Sequence, residues 1–156
     1  TLVLDNLLPG QRLWCIATGT GLAPFLSIVR DPSTFARFDE VILTHTVRTA
    51  RELAFAEMLE SRPIRYYPTV TREAFHTEGR ITDRLASGAV FEDLNLPQWS
   101  ADCDRIMICG SPAFNNELRA DLQARGFQHG TNRAPGHFVQ ERAFVMQRGD
   151  TDVSAE

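Results

Sequence analysis

No apolar run in these 156 residues approaches the ~20 that cross a bilayer, so no membrane-spanning helix is expected. Positive charge is not in excess. The formal net charge of −4 argues against a general nucleic-acid binder, and it requires any anion site to be a local arginine cluster. Cysteine is scarce: Cys15, Cys103 and Cys109 form neither an even disulfide set nor a Cys-x-x-Cys metal pair. Cys15 and Cys109 lie in apolar runs, where a thiol serves as a small core residue. A reducing, cytoplasmic setting is the expectation. The four histidines, His45, His76, His129 and His137, lack metal-ligand spacing and receive no role. Repeats and low-complexity segments are absent too. With 43% hydrophobic and 23% charged residues, the composition suits one domain with a sizeable core.

The most informative stretch present is Thr18-Gly19-Thr20-Gly21, followed by Leu22-Ala23-Pro24-Phe25. It joins an apolar run, Leu13-Trp14-Cys15-Ile16-Ala17, to a helical pattern ending at Arg30. Glycines let the backbone approach an anion, and a helix start adds N–H groups and the positive end of its dipole. Pro24 suits a first helical turn. The spacing is Gly-x-Gly-x-x-Pro, not the Gly-x-Gly-x-x-Gly of the dinucleotide-binding Rossmann turn. That turn also wants a carboxylate after the second strand, for a ribose hydroxyl. Here Asp39 and Glu40 precede the strand and Thr46-Val47-Arg48 follow it, which favours a nucleotide with an extra phosphate.

Strands are expected at 13–17, 40–45, 64–70, 105–109 and 138–145, from apolar and β-branched enrichment. Helices are expected at 24–30, near 81–85 and at 113–125, where Leu118 and Leu122 share a face. A further helix should start at Thr49, with Glu52 completing a capping box and Phe55, Met58 and Leu59 forming the apolar face. Asp31-Pro32-Ser33-Thr34 reads as a loop, and 91–104 as a long connection. The alternation implies an α/β fold: an open parallel five-stranded sheet with helices on both faces and right-handed crossovers. Ligands of such sheets gather beyond the carboxyl ends of the strands. The segments 18–21, 46–48, 71–72 and 109–112 should therefore face one crevice.

Several blocks carry a resemblance in a fixed order. They are Ala17-Thr18-Gly19-Thr20-Gly21-Leu22-Ala23-Pro24-Phe25, Val47-Arg48 with Glu52-Leu53, and Tyr66-Tyr67-Pro68-Thr69-Val70-Thr71-Arg72-Glu73. Gly79-Arg80-Ile81-Thr82, Cys109-Gly110-Ser111-Pro112-Ala113-Phe114 and Phe138-Val139-Gln140-Glu141-Arg142-Ala143-Phe144-Val145 follow. Together they resemble the C-terminal, NADP-binding domain of a bacterial-type ferredoxin/flavodoxin–NADP reductase, from about residue 8 to residue 145. The resemblance implies residues 1–9 as a linker from an N-terminal FAD domain, 10–145 as the NADP(H)-binding domain and 146–156 as a C-terminal tail. No flavin-binding Arg-x-Tyr-Ser type motif is present, so FAD is expected to bind mainly to that other domain. Ferredoxin or flavodoxin is the implied electron partner.

On that resemblance Arg72 and Arg80 are the expected ligands of the NADP 2′-phosphate, with Thr71 as hydroxyl donor and Arg48 assisting. Arginine forks match phosphate oxygens in strong, charge-assisted bonds. Thr18, Gly19, Thr20 and Gly21 are expected to cradle the pyrophosphate or nicotinamide end, with Gly110 and Ser111 beside them. Cys109 is expected where nicotinamide meets flavin, as a soft neighbour of the hydride and not a nucleophile. Glu141 is expected to aid proton handling at the reduced flavin, and Phe144 to pack near it. Three other readings stay open: an NADH-binding module of an oxygenase reductase, a nucleotide-binding module without chemistry, and an FMN-binding flavodoxin-like domain.

Overall fold

Seven consecutive residues, Arg12–Thr18, form the central strand β1 and bury all but their two ends. A strand buried on both faces needs a continuous apolar run instead of an alternating one, which is the mark of a parallel sheet. The computed structural model, which describes residues 2–143, adds β2 (Glu40–Val47), β3 (Arg65–Val70), β4 (Asp104–Gly110) and β5 (Phe138–Arg142). Their order across the sheet is β3-β2-β1-β4-β5, and every pairing is parallel. The expected five-stranded parallel sheet is present. The winding direction reverses between β1 and β4, and such a switch opens a crevice at the carboxyl ends of the two strands.

Alternate side chains of each strand feed two cores. On one face Trp14, Ile16, Ile42, Ile106, Ile108 and Phe138 meet Ile81, Leu85, Phe91 and Leu118. These last come from α4 (Ile81–Ser87), α5 (Ala89–Leu94) and α6 (Pro112–Ala124). On the other face Leu13, Cys15, Ala17, Leu43 and Met107 meet Phe25, Val29 and Leu59. Phe25 and Val29 belong to α1 (Ala23–Arg30), and Leu59 to α3 (Ala56–Glu60). Both faces are covered by helices, as the alternation of elements implied.

Three local expectations fail. Asp31-Pro32-Ser33-Thr34 is not a loop: it opens α2 (Pro32–Arg37), where the Asp31 carboxylate accepts the Ser33 N–H at 2.9 Å and Pro32 needs no partner for its missing N–H. Residues 91–94 complete α5 instead of opening a long connection. The helix expected from Thr49 is broken. Thr49 donates its hydroxyl to the Glu52 carboxylate at 3.2 Å and caps no backbone N–H. A three-residue 3-10 turn, Ala50–Glu52, follows, and Phe55 then adopts φ 66° and starts α3 afresh. Phe55 is 52% exposed, so the apolar face holds Leu59 and part of Met58 but not Phe55. The last strand pairs as far as Arg142. Phe144 and the expected tail lie outside the described residues.

The segment 2–9, expected as a linker, is docked along the sheet. Leu2 and Leu7 are buried, and Leu8 donates its N–H to the Gly136 carbonyl at 2.9 Å. At its far end the buried Arg105 guanidinium donates to the carbonyls of Leu8 (3.1 Å) and Pro9 (2.6 Å). At its near end the Leu2 N–H donates to the Glu141 carboxylate at 2.8 Å.

Candidate functional site at the carboxyl ends of the strands

The glycine turn leaves β1 as a short 3-10 helix, Gly19–Leu22, and runs directly into α1. Gly19 sits at φ +51°, a region that strains most residues with a Cβ. Gly21 is needed for a different reason: a Cβ there would lie 2.0 Å from the Cys109 carbonyl oxygen. The turn is thus pressed against the end of β4 with no room for a side chain. Gly110 is held as closely, since its Cβ would meet Phe114 Cδ1 at 2.5 Å and Thr18 Oγ1 at 2.6 Å. Thr18, Gly21, Cys109 and Gly110 therefore form one close-packed rim at the switch point, while Thr20 and Gly19 face solvent. Backbone so bare is what a bulky anionic ligand requires for close approach.

Across the rim, Ser111 caps α6: its Oγ accepts the Phe114 N–H at 3.2 Å, and Pro112 follows at the first helical position. The Ser111 O–H proton remains available to donate. Cys109 is almost wholly buried, and burial first, then the charge of Glu141, push its thiol up to about 11. A thiol held this way stays a neutral S–H at physiological pH and is a poor nucleophile. Glu141 is the register partner of Cys109 on β5. Its carbonyl accepts the buried Asn115 side-chain amide at 2.9 Å, which ties β5 to α6.

The arginines lie at the other half of the same edge. Sheet-like bonding continues past β2 and β3: Thr71 donates its N–H to the Val47 carbonyl at 3.0 Å, and Arg72 donates its own to the Arg48 carbonyl at 2.9 Å. Arg48 and Arg72 thereby leave adjacent strands side by side. The Glu73 carboxylate accepts the Ala50 N–H and joins the two loops. The Thr71 hydroxyl reaches the Val47 carbonyl only at 3.5 Å, too long to hold it. The loop after β3 folds back, with Gly79 donating to the Val70 carbonyl at 3.0 Å, and so delivers Arg80 to the same end. Arg80 reaches across to Glu117 on α6 at 2.9 Å, and Arg48 lies 3.7 Å from Glu52. The first pair is exposed and the second half-buried and long, so each is worth little, ~0–1 kcal/mol, and a phosphate dianion can displace the carboxylates.

All four segments expected at one crevice stand at the carboxyl edge of the sheet, in the lateral order Thr71-Arg72, Arg48, glycine turn, Cys109-Gly110. Three participants escaped the sequence reading. Glu117 and Asn115 face the site from a helix whose pattern showed only its apolar stripe. His45 received no role, yet its Nε2 lies 2.8 Å from the Gly19 carbonyl oxygen. Its place at the end of a strand neighbouring the glycine turn was the available signal. Among the described residues no His, Cys, Asp or Glu cluster could hold a metal ion, and no helix is long and apolar enough to cross a membrane.

Residues 15–120 match the oxidoreductase NAD-binding domain family. The chain is 48% identical to ferredoxin–NADP reductase A of Sorangium cellulosum, over 99% of its own length and 60% of that protein's. It is 49% identical to the flavodoxin/ferredoxin–NADP reductase of Rhodobacter capsulatus, over 93% and 58%. The ferredoxin NADP+ reductase of Neisseria gonorrhoeae, solved with bound FAD and NADP, superposes with a TM-score of 0.84 at 31% identity, over 91% of this chain and 60% of that one. The chain thus spans about three-fifths of the length of these relatives. It belongs to the oxidoreductase NAD-binding domain family, among the nucleotide-binding domains of bacterial ferredoxin–NADP reductases.

Proposed function

We propose that this chain holds NADP(H) for hydride exchange with FAD, as the nucleotide-binding half of a ferredoxin/flavodoxin–NADP reductase. One observation carries the reading: the Arg72 N–H to Arg48 carbonyl bond, 2.9 Å, sets two guanidinium-bearing residues side by side at the strand ends. A site for NAD alone places a carboxylate there to take the ribose hydroxyl. Arg72 and Arg80, with Arg48 and Thr71, bind the 2′-phosphate. The bare rim of Thr18, Gly19, Thr20 and Gly21 receives the pyrophosphate, and Gly110 and Ser111 border the nicotinamide end. Gly19, where an added Cβ would meet nothing within 4 Å, leaves the outer face of the turn open to a dinucleotide laid across the switch point.

The cofactors supply the redox chemistry, and the chain supplies binding and orientation. Cys109 gives the nicotinamide end a small, soft, uncharged neighbour. Glu141 places a carboxylate one strand away, where it can hold or pass a proton. FAD is bound mainly by an N-terminal domain, and ferredoxin or flavodoxin takes or gives single electrons. The three thiols, all free, support a reducing, cytoplasmic setting.

Calorimetric titration with NADP+ and, separately, NAD+ tests the reading. Tighter binding of NADP+ is expected. Equal affinities would remove the arginine argument and favour an NADH-binding module.

A further inference from the structure

We propose that His45 is a positioning residue for the dinucleotide: by holding the Gly19 carbonyl it sets the direction in which the glycine turn presents its backbone. The proposal rests on the NADP(H) reading above and adds a residue to that site. His45 lies on β2 in register with Ala17 of β1, two residues before Gly19, and it is 1% exposed. Its Nε2 is 2.8 Å from the Gly19 oxygen, and its Nδ1 is buried without a partner.

That single contact and the unpartnered Nδ1 together fix the tautomer. A carbonyl oxygen can only accept, so the ring proton sits on Nε2 and Nδ1 is bare. A second proton on Nδ1 would be a buried donor with nothing to receive it, and burial accordingly holds the imidazole below its ordinary pKa. The ring is a neutral, one-way donor.

The consequence for the turn follows from the peptide plane. In a trans peptide the C=O and the following N–H point in opposite directions. With the Gly19 carbonyl drawn to β2, the Thr20 N–H of the same peptide is directed away from β2. A glycine at φ +51° has more conformational freedom than any other residue, so this peptide could rotate without an external hold. The close seat of Gly21 on Cys109 fixes the far side of the turn, and His45 fixes the near side. Neither contact touches the loops that carry Arg72 and Arg80.

The test uses the whole 156-residue chain with NADP+ and with 2′-AMP, which has the 2′-phosphate but no pyrophosphate. His45→Leu is expected to weaken NADP+ about tenfold, the worth of one buried hydrogen bond, and to leave 2′-AMP binding unchanged. His45→Gln, whose amide nitrogen can donate from nearly the same place, is expected to recover most of the loss. An unchanged NADP+ affinity in His45→Leu, an equal loss for both ligands, or no recovery in His45→Gln would overturn the proposal. Should the leucine variant not fold, nitrogen NMR of the wild-type ring decides: the Nε2–H tautomer supports the assignment, and the Nδ1–H tautomer or an imidazolium at neutral pH overturns it. A wild-type chain that binds NADP+ no better than NAD+ sinks the functional reading itself, whereas tight NADP+ binding indifferent to His45 sinks only this one.

Discussion

Cys109 and Glu141 are direct register partners on β4 and β5, and the carboxylate adds to the burial that keeps the thiol protonated. Cys15, wholly buried, is held even further above the ordinary thiol range. Cys103 is partly exposed. A thiol reagent applied to the native chain at pH 8 should therefore modify one cysteine, Cys103, and all three after denaturation. Modification of Cys109 in the native state would contradict the geometry.

The same shifts set an alkaline limit on stability. The folded state retains protons on Cys15 and Cys109 that the unfolded chain surrenders near pH 8.5. Their contribution is complete below that pH and declines as pH rises toward 11. Urea midpoints should fall between pH 8 and pH 10, and Cys109→Ala should flatten that fall.

On the proposed reading, Arg72 and Arg80 bind the phosphate that distinguishes NADP+ from NAD+. Each charge-assisted bond is worth ~1.5–3 kcal/mol, so the double Arg72→Ala, Arg80→Ala chain should lose about a hundredfold or more in NADP+ affinity. NAD+ affinity should hardly move. A parallel loss for both nucleotides would place these arginines elsewhere.

Gly21→Ala should be among the most damaging single-methyl changes. The added Cβ would fall 2.0 Å from a backbone oxygen, which cannot swing aside as a flexible side chain could. A cost of ~1–3 kcal/mol or more in unfolding free energy is expected, with weaker NADP+ binding. Wild-type values for both would mean that β4 and the turn are not in contact.

Phe55→Gly should have the opposite sign. Phe55 holds φ 66° while half its surface is in water, so glycine would relieve ~1 kcal/mol of backbone strain at small loss of packing. A raised thermal midpoint is the expected readout.

The strands and the site were legible for a common reason. A buried parallel strand leaves an unbroken apolar run, and the residues just after it are placed by the sheet whatever lies between. Arg48 and Arg72 could thus be brought together from 24 positions apart. The helices were less legible, because their signals are ambiguous at short range. Asp31-Pro32 breaks one element and also starts the next, and only the Ser33 N–H bond shows which. Thr49 and Glu52 have the spacing of a capping box, but their side chains bond to each other. His45 was invisible as chemistry because its partner is a carbonyl, and backbone atoms leave no trace in composition or spacing.

The docked segment 2–9 also fixes where the described chain can be opened. Leu2 rests on the Glu141 carboxylate, and Ala143 donates its N–H to the Gly110 carbonyl at 2.9 Å, so positions 2 and 143 leave the body at neighbouring points. A few residues could bridge them, and the module could be circularly permuted or spliced into a loop of another protein with its sheet intact. Any host joined there would sit over Cys109.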